Sequence, residues 1–290
     1  MLKQDFVSLM PSRDYSRRDF VATSVGSGFA AAVLPVSAQT ITTDGAGLSA
    51  GPVTISAAGT ELPAYRAQPA GKTGLPVVLV VSEIFGVHEH IADVTRRFAR
   101  QGYLAIAPEL FVRQGDAKGQ ADMGKLMSEV VAKKPDAEAM SDLDAALAWA
   151  AAHGGDASRL GVTGFCWGGR ITWLYAAHSA KVKAGVAWYG RLVGTPSALA
   201  PKHPIDVADA LHGPVLGLYG GQDGGIPLDT VDKMKAALAA GSTAAKKSEF
   251  VVYPGAGHAF HADYRPSYQH EAAEDGWKRC VAWFGANGVG

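Results

Sequence analysis

Short apolar segments alternate with amphipathic ones along most of the chain. Residues 75–82 are almost continuously apolar, as expected of a parallel strand that is buried on both faces. Residues 90–101 then repeat apolar side chains at helical spacing, and residues 102–110 are apolar again. The same alternation predicts strands at 159–164, 183–190, 213–221 and 248–253, and helices at 136–153, 171–177, 228–240 and 268–287. The sequence therefore predicts an α/β fold, a mostly parallel sheet with helices on both faces.

Other stretches fill the space between these elements. Residues 52–68 alternate apolar and polar side chains on either side of a Gly-Thr pair, which predicts a β-hairpin at the edge of the sheet. Residues 111–135 are polar, with one short amphipathic run, and we expect a loop-and-helix segment over the candidate site. Residues 39–52 are rich in Gly, Thr and Ser and predict a flexible lead-in. A single domain at 53–290 follows.

The first 38 residues predict an export signal. Arg17-Arg18-Asp19-Phe20 resembles the core of a twin-arginine signal, an apolar Ala/Gly-rich run extends to residue 34, and small residues at 36–38 offer a cleavage point. The run is too short and too rich in glycine for a good membrane span. An N-terminal anchor is the alternative. We expect the twin-arginine export machinery as a partner, a periplasmic or secreted protein, and no stable association with a membrane.

The segment Gly164-Phe165-Cys166-Trp167-Gly168 joins a predicted strand to a predicted helix. A nucleophile flanked by glycines at such a turn is the pattern of a nucleophile elbow. The glycines are needed because the tight turn leaves no space for a Cβ at these positions. Peptide dipoles at a helix N-terminus favour negative charge, which suits a thiolate. The pattern predicts Cys166 as a nucleophile, with a buried structural cysteine as the alternative.

Two further residues complete a catalytic arrangement. Asp223 follows the predicted strand at 213–221, and His258 lies in a glycine-rich loop after the strand at 248–253. Nucleophile, acid and histidine in this order are typical of α/β-hydrolases. We expect His258 to transfer the proton of Cys166 and Asp223 to fix its tautomer, with a thioester acyl-enzyme as the intermediate. Taken singly, Asp223 fits a turn residue and His258 a loop histidine.

A resemblance supports this interpretation. Glu83-Ile84-Phe85-Gly86 after the first buried strand, and Gly-Phe-Cys-x-Gly-Gly at 164–169, resemble the dienelactone hydrolases, which are α/β-hydrolases with a cysteine nucleophile. The resemblance covers nearly all of residues 53–285 and implies hydrolysis of a small ester or lactone. It also implies that Glu83 holds the resting thiol and gates its activation; a surface carboxylate at a strand end is the alternative. The backbone amides of Trp167 and Ile84 are the expected oxyanion hole.

The sequence departs from that family where substrate is bound. Dienelactone hydrolases that act on the muconate-derived lactone hold its carboxylate with two arginines. Residues 118–128, which correspond to one of these positions, contain no arginine, and Ala262 occupies the other, four residues after His258. Lys125 or one of two arginines could substitute. The candidate substrate contacts are Arg113, Tyr189, Phe260 and Arg265.

Composition sets further limits. The chain has 290 residues with 27 basic and 27 acidic side chains, so its net charge of zero gives no reason to expect nucleic acid or an anionic membrane as a partner. Cys280 lies at helical spacing among apolar residues, and we expect no disulfide with Cys166. His88 and His90 are two residues apart and no full ligand set accompanies them, so no metal and no cofactor is expected.

Three functions fit these observations. The first is a hydrolase of a small, dienelactone-like ester or lactone. The second is a general carboxylesterase that uses the same three residues. The third belongs to another class, a non-catalytic thiol sensor in which Cys166 is reversibly oxidised in an oxidising compartment.

Overall fold

The computed structural model describes residues 41–290, and their strands form one eight-stranded sheet in the order β1-β2-β4-β3-β5-β6-β7-β8. Strand β2 is antiparallel to both β1 and β4, and all other neighbours are parallel. The strands are β1 (Leu48–Ala57), β2 (Thr60–Pro69), β3 (Leu75–Val81), β4 (Leu104–Pro108), β5 (Gly155–Phe165), β6 (Val182–Trp188), β7 (Val215–Gly220) and β8 (Glu249–Tyr253).

Helices connect the parallel strands. They are α1 (Glu89–Arg100), α2 (Met123–Lys125), α3 (Asp136–Ala152), α4 (Trp167–His178), α5 (Leu228–Ala240), α6 (Thr243–Lys246) and α7 (His270–Ala286). A π-helical turn (Leu126–Val130) and a 3₁₀ turn (Val131–Lys133) follow α2, and a second 3₁₀ segment spans Pro204–Ala210. Because long connections are needed between parallel strands, this element order is the one that a covered parallel sheet requires.

The core confirms the predicted α/β fold. The five residues from Val77 to Val81 in β3 are fully buried, as the uninterrupted apolar run in the sequence predicts for a strand covered on both faces. In α1 the buried apolar side chains are those at helical spacing, including Ile91, Val94 and Phe98.

Two strands, β1 and β5, begin four residues earlier than predicted. Strand β1 begins at Leu48, so the end of the predicted flexible lead-in is paired with β2. Strand β5 begins at Gly155 rather than at residue 159. The added residues are polar or include glycine, and they pair with the neighbouring strand through their backbones. The alternation of apolar side chains therefore does not predict them.

The topology gathers four chain segments at one edge of the sheet. Glu83 follows β3, Cys166 follows β5, Asp223 follows β7 and His258 follows β8, each beyond the carboxyl end of its strand. In open α/β sheets this edge carries the binding crevice. The predicted export signal lies outside the described residues. Across residues 41–290 no helix combines the length and apolar character needed to cross a membrane.

Candidate active site

Cys166 lies at the apex of a strained turn between β5 and α4. Its φ of 55° and ψ of −114° place it in a region that residues other than glycine rarely adopt. A Cβ on Gly164 would overlap the carbonyl oxygen of Gly168, and a Cβ on Gly168 would lie 2.5 Å from the Ser82 oxygen. The two glycines therefore allow α4 to begin directly against the ends of β5 and β3, and its N-terminus is directed at the Cys166 position.

His258 and Asp223 form a buried pair beside the elbow. Nδ1 of His258 and Oδ2 of Asp223 are 2.6 Å apart, and the other Asp223 oxygen accepts a hydrogen bond from the Gly225 amide. Burial alone would lower the pKa of His258, but the neighbouring Cys166 and Asp223 outweigh it and raise that pKa well above its usual value. Nε2 of His258 is buried and has no hydrogen-bond partner within residues 41–290. His258 can therefore donate through Nδ1 to Asp223 while Nε2 exchanges a proton.

The two amides expected to form an oxyanion hole are available. Ile84 lies just after β3 and Trp167 is the first residue of α4, and both line the same cavity as Cys166. In the part of the chain that the structure describes, neither amide donates a hydrogen bond. Unpaired amide donors beside a nucleophile are what a developing carbonyl oxyanion requires.

Glu83 is buried and belongs to a second polar cluster. Its Oε2 accepts a hydrogen bond of 2.5 Å from the Tyr264 hydroxyl and lies 3.9 Å from Nε2 of His88. Burial would raise the pKa of Glu83, but the charge of Arg265, together with His88 and Tyr264, lowers it below its usual value. Glu83 is thus ionised. Its Oε2 is bound by Tyr264, and the contact expected with the resting thiol of Cys166 stays a prediction.

A cavity of about 310 Å³ opens beside Cys166. Its far wall comes from the π-helical and 3₁₀ turns after α2 and from the loop between β6 and the Pro204–Ala210 turn. The lining side chains beyond the catalytic candidates include Met127, Val131, Arg170, Leu199, His203 and Ile226. The predicted loop-and-helix segment at 111–135 therefore does lie over the site.

The profile of the Dienelactone hydrolase family matches residues 62–288, which is most of the chain. The chain belongs to the dienelactone hydrolase family. The catalytic candidates all lie within the matched region, and the hydrolase class that the sequence predicted is confirmed.

Relatives and solved structures agree with this assignment to the dienelactone hydrolase family. A provisionally named carboxymethylenebutenolidase of Methylorubrum extorquens is 61% identical over 98% of this chain and 98% of its own. One of Salmonella typhimurium, with the same provisional name, is 55% identical over 92% of this chain and 98% of its own. The crystal structure of a provisionally named dienelactone hydrolase from Klebsiella pneumoniae is 57% identical, with a TM-score of 0.80, and the match covers 82% of this chain and 98% of that one.

Three of the four predicted substrate contacts do not line the cavity. In this dienelactone hydrolase family member, both Nη atoms of Arg113 are engaged, with Asp142 at 2.8 Å and with the Ala57 carbonyl at 2.9 Å, so Arg113 binds the β1–β2 hairpin to α3. Phe260 is fully buried against core aromatic rings and is not part of the cavity wall.

Arg265 is also outside the cavity wall. Its guanidinium lies 4.7 Å from the centre of the Phe85 ring, and its Nε donates to the Tyr264 hydroxyl. Tyr189, the fourth candidate, does line the cavity, and its ring packs edge-on against His258 at 5.2 Å.

Sequence reasoning missed Arg170 and His203. Arg170 lies four residues after Cys166 on α4, a spacing that brings two helical positions to one face and could have indicated it. His203 lies in a Pro/Ala-rich loop with no periodic pattern, so no local signal marks its place in the cavity wall.

His90 and Cys280 lie outside the cavity wall. His90 is buried and its Nδ1 lies 2.9 Å from Asp263. Among the described residues no group of three or more His, Cys, Asp or Glu side chains is placed to hold a metal ion. Cys166 and Cys280 are both free thiols, as expected, and Cys280 is fully buried.

Proposed function

We propose that this dienelactone hydrolase family member cleaves a small carboxylic ester or lactone through a thioester on Cys166. In this proposal Cys166 is the nucleophile, His258 moves the proton, and Asp223 orients and stabilises the imidazole. The amides of Ile84 and Trp167 bind the oxyanion.

The observation that carries the proposal is the position of Cys166. Its strained backbone holds the sulfur at the N-terminus of α4, in the wall of the cavity that His258 also lines. A raised pKa favours the imidazolium form of His258, and that positive charge stabilises a negative charge on the sulfur. The resting geometry has no hydrogen bond on Nε2, which is common where a catalytic contact forms only with substrate bound.

The chemical steps follow from these positions. The thiolate attacks the ester carbonyl, a C–S bond forms, and the two amides bind the oxyanion. The tetrahedral intermediate collapses as the C–O bond breaks, and the imidazolium of His258 gives its proton to the leaving alkoxide. A water molecule then attacks the thioester while neutral His258 accepts its proton, and the carboxylic acid leaves as Cys166 returns to thiolate.

Glu83 completes the proposal as an electrostatic group. Tyr189 lies within electrostatic reach of both Glu83 and Cys166, and burial followed by these negative charges raises its pKa well above the usual value. The ionised Glu83 therefore opposes negative charge at the site in the resting state. Its hydrogen bond from Tyr264 and the charge of Arg265 reduce that effect.

Turnover by a nucleophile variant tests the proposal. We expect the mature protein to hydrolyse p-nitrophenyl acetate or a dienelactone, and Cys166→Ala to hydrolyse neither while it unfolds at an unchanged temperature. Equal rates in the two proteins would overturn the assignment of Cys166. If the wild type hydrolyses neither compound and its thiol is instead oxidised reversibly, the sensor interpretation replaces the hydrolase.

The proposal extends to where the enzyme works. Twin-arginine export would place the mature enzyme in the periplasm or the medium, and Arg17 and Arg18 are the residues that support this. Cell fractionation should recover the wild type outside the cytoplasm, and the double variant Arg17→Lys, Arg18→Lys inside it. The same distribution for both would contradict the export route.

A further inference from the structure

The cavity beside Cys166 has a mainly apolar wall. Its apolar lining comes from separate parts of the chain: the loop after β3, the turns after α2, the loop after β6 and the segment before α5. They include Ile84, Met127, Val131, Leu199, Ala200 and Ile226. A volume of about 310 Å³ lies at the lower end of the range of ligand cavities, roughly 300–1,000 Å³. The space therefore suits a small group.

Two cationic side chains in the same wall, Arg170 and Lys134, are already paired with carboxylates. Arg170 makes two hydrogen bonds of 2.7 Å with the carboxylate of Asp136 and a third with the Lys202 carbonyl. Lys134 is buried, and its Nζ lies 2.6 Å from Glu138 and 2.7 Å from Asp142. Arg191, also in the wall, has an interaction partner as well.

The same wall also contains an exposed leucine. Leu199 is 39% exposed, yet it lines the cavity, and it is one of three large apolar side chains at the surface of residues 41–290. An exposed apolar side chain beside a cavity loses contact with water when an apolar group enters. A carboxylate that entered the same space would lose its hydration and find Arg170 and Lys134 already bound to carboxylates.

We propose that the group bound in this cavity is uncharged and apolar, so that the enzyme selects neutral alkyl esters over esters or lactones that carry a carboxylate. This inference rests on the hydrolase function proposed above and specifies its substrate class. The paired cations explain why the carboxylate clamp of lactone-cleaving relatives has no equivalent in this cavity wall.

A matched pair of esters tests the charge preference. p-Nitrophenyl hexanoate and mono-p-nitrophenyl adipate differ only in a terminal methyl group or carboxylate. After subtraction of the uncatalysed rates, we expect kcat/KM to be higher for the hexanoate by about tenfold or more, because the carboxylate is desolvated while Arg170 and Lys134 stay bound to their own carboxylate partners. A higher kcat/KM for the adipate would overturn the inference. If the adipate were preferred and Arg191→Ala removed this preference, Arg191 would be the residue that binds the carboxylate.

Chain length tests the apolar wall. In a series of p-nitrophenyl acyl esters and a parallel series of alkyl acetates, kcat/KM should rise about fourfold for each methylene that becomes buried, until the cavity is full. The series that shows the rise identifies whether the acyl or the alcohol part occupies the cavity. No rise in either series would overturn the inference.

Two pairs of variants locate the effect. Leu199→Ala should reduce the rise in kcat/KM per methylene. Leu228→Ala changes a similarly exposed leucine outside the cavity and should leave that rise unchanged. Met127→Ala should move the optimum to longer chains, and Met123→Ala, in the same apolar cluster but outside the cavity wall, should not. Equal effects within both pairs would contradict the assignment. Failure of the wild type to cleave any ester would instead refute the underlying hydrolase proposal.

Discussion

A change of Gly168 tests the elbow geometry, because this glycine lies in the first turn of α4, against the end of β3. In Gly168→Ala the new Cβ would lie 2.5 Å from the Ser82 carbonyl oxygen and closer still to the Val81 oxygen, whereas ordinary contact begins near 3.4 Å. Both obstacles are backbone atoms at the end of β3, so a side-chain rotation cannot relieve them. The N-terminus of α4 and the end of β3 must separate.

The size of that separation sets the expected loss. The two segments have to move apart by roughly 1 Å, and they carry Trp167 and Ile84, the two proposed oxyanion donors. A misplacement of about 1 Å in a catalytic arrangement costs about 10²-fold in rate. Overpacking of this kind also lowers the free energy of unfolding by about 1–3 kcal/mol.

The assay is kcat/KM for p-nitrophenyl acetate together with urea unfolding of the same preparations. Gly285→Ala is the matched control, because Gly285 lies in α7 and a Cβ added there would meet no atom of the described residues within 4 Å. That control should keep wild-type kcat/KM and gain about 0.5–1 kcal/mol in stability. A Gly168→Ala enzyme with kcat/KM within twofold of the wild type would refute the proposed oxyanion hole.

Three further predictions concern the site and its surroundings. Cys166→Ser should lose about 10²- to 10⁴-fold in kcat, because a hydroxyl needs a general base that the thiolate does not, and full activity in this variant would refute the thiolate mechanism. Asp223→Asn should lose about 10- to 100-fold in kcat/KM, since a buried charged hydrogen bond contributes about 1.5–3 kcal/mol. An unchanged pH–rate profile in this variant would contradict the role of Asp223 in raising the pKa of His258. Burial, followed by the charge of His90, lowers the pKa of His88 to about 4, so the unfolded chain binds a proton between pH 6.5 and 4 that the folded chain does not. Stability should fall by up to about 3 kcal/mol as the pH decreases through this window, and urea unfolding of His88→Gln should show a smaller fall.

The sequence predicted the fold and the catalytic candidates because both depend on local patterns. The apolar run in β3 and the helical spacing in α1 can each be recognised from one short stretch of sequence. The Gly-x-Cys-x-Gly pattern indicates a tight turn around Cys166, because a Cβ at Gly164 or Gly168 would overlap backbone atoms. Asp223 and His258 follow predicted strands, and the topology of a parallel sheet brings such positions to one edge.

The substrate contacts could not be predicted in the same way. Arg113 looked available in the sequence, but its acidic partner, Asp142, lies 29 residues away. The hydrogen bond that Glu83 accepts from Tyr264 was not predicted either, because Tyr264 lies 181 residues later in the chain. Leu199 lies in a segment without periodicity. These residues come into contact only through tertiary packing, so no local sequence pattern predicts the contacts.

The most direct measurement is the mass of Cys166 during turnover. The enzyme is mixed with a slowly cleaved ester, quenched in acid and digested with trypsin, which releases Cys166 on the peptide of residues 160–170 and Cys280 on that of residues 280–290. The proposed mechanism predicts one acyl group on the first peptide, none on the second, and loss of the label when substrate is exhausted. Steady turnover with both cysteines unmodified, or with the acyl group on another residue, would contradict the thioester mechanism.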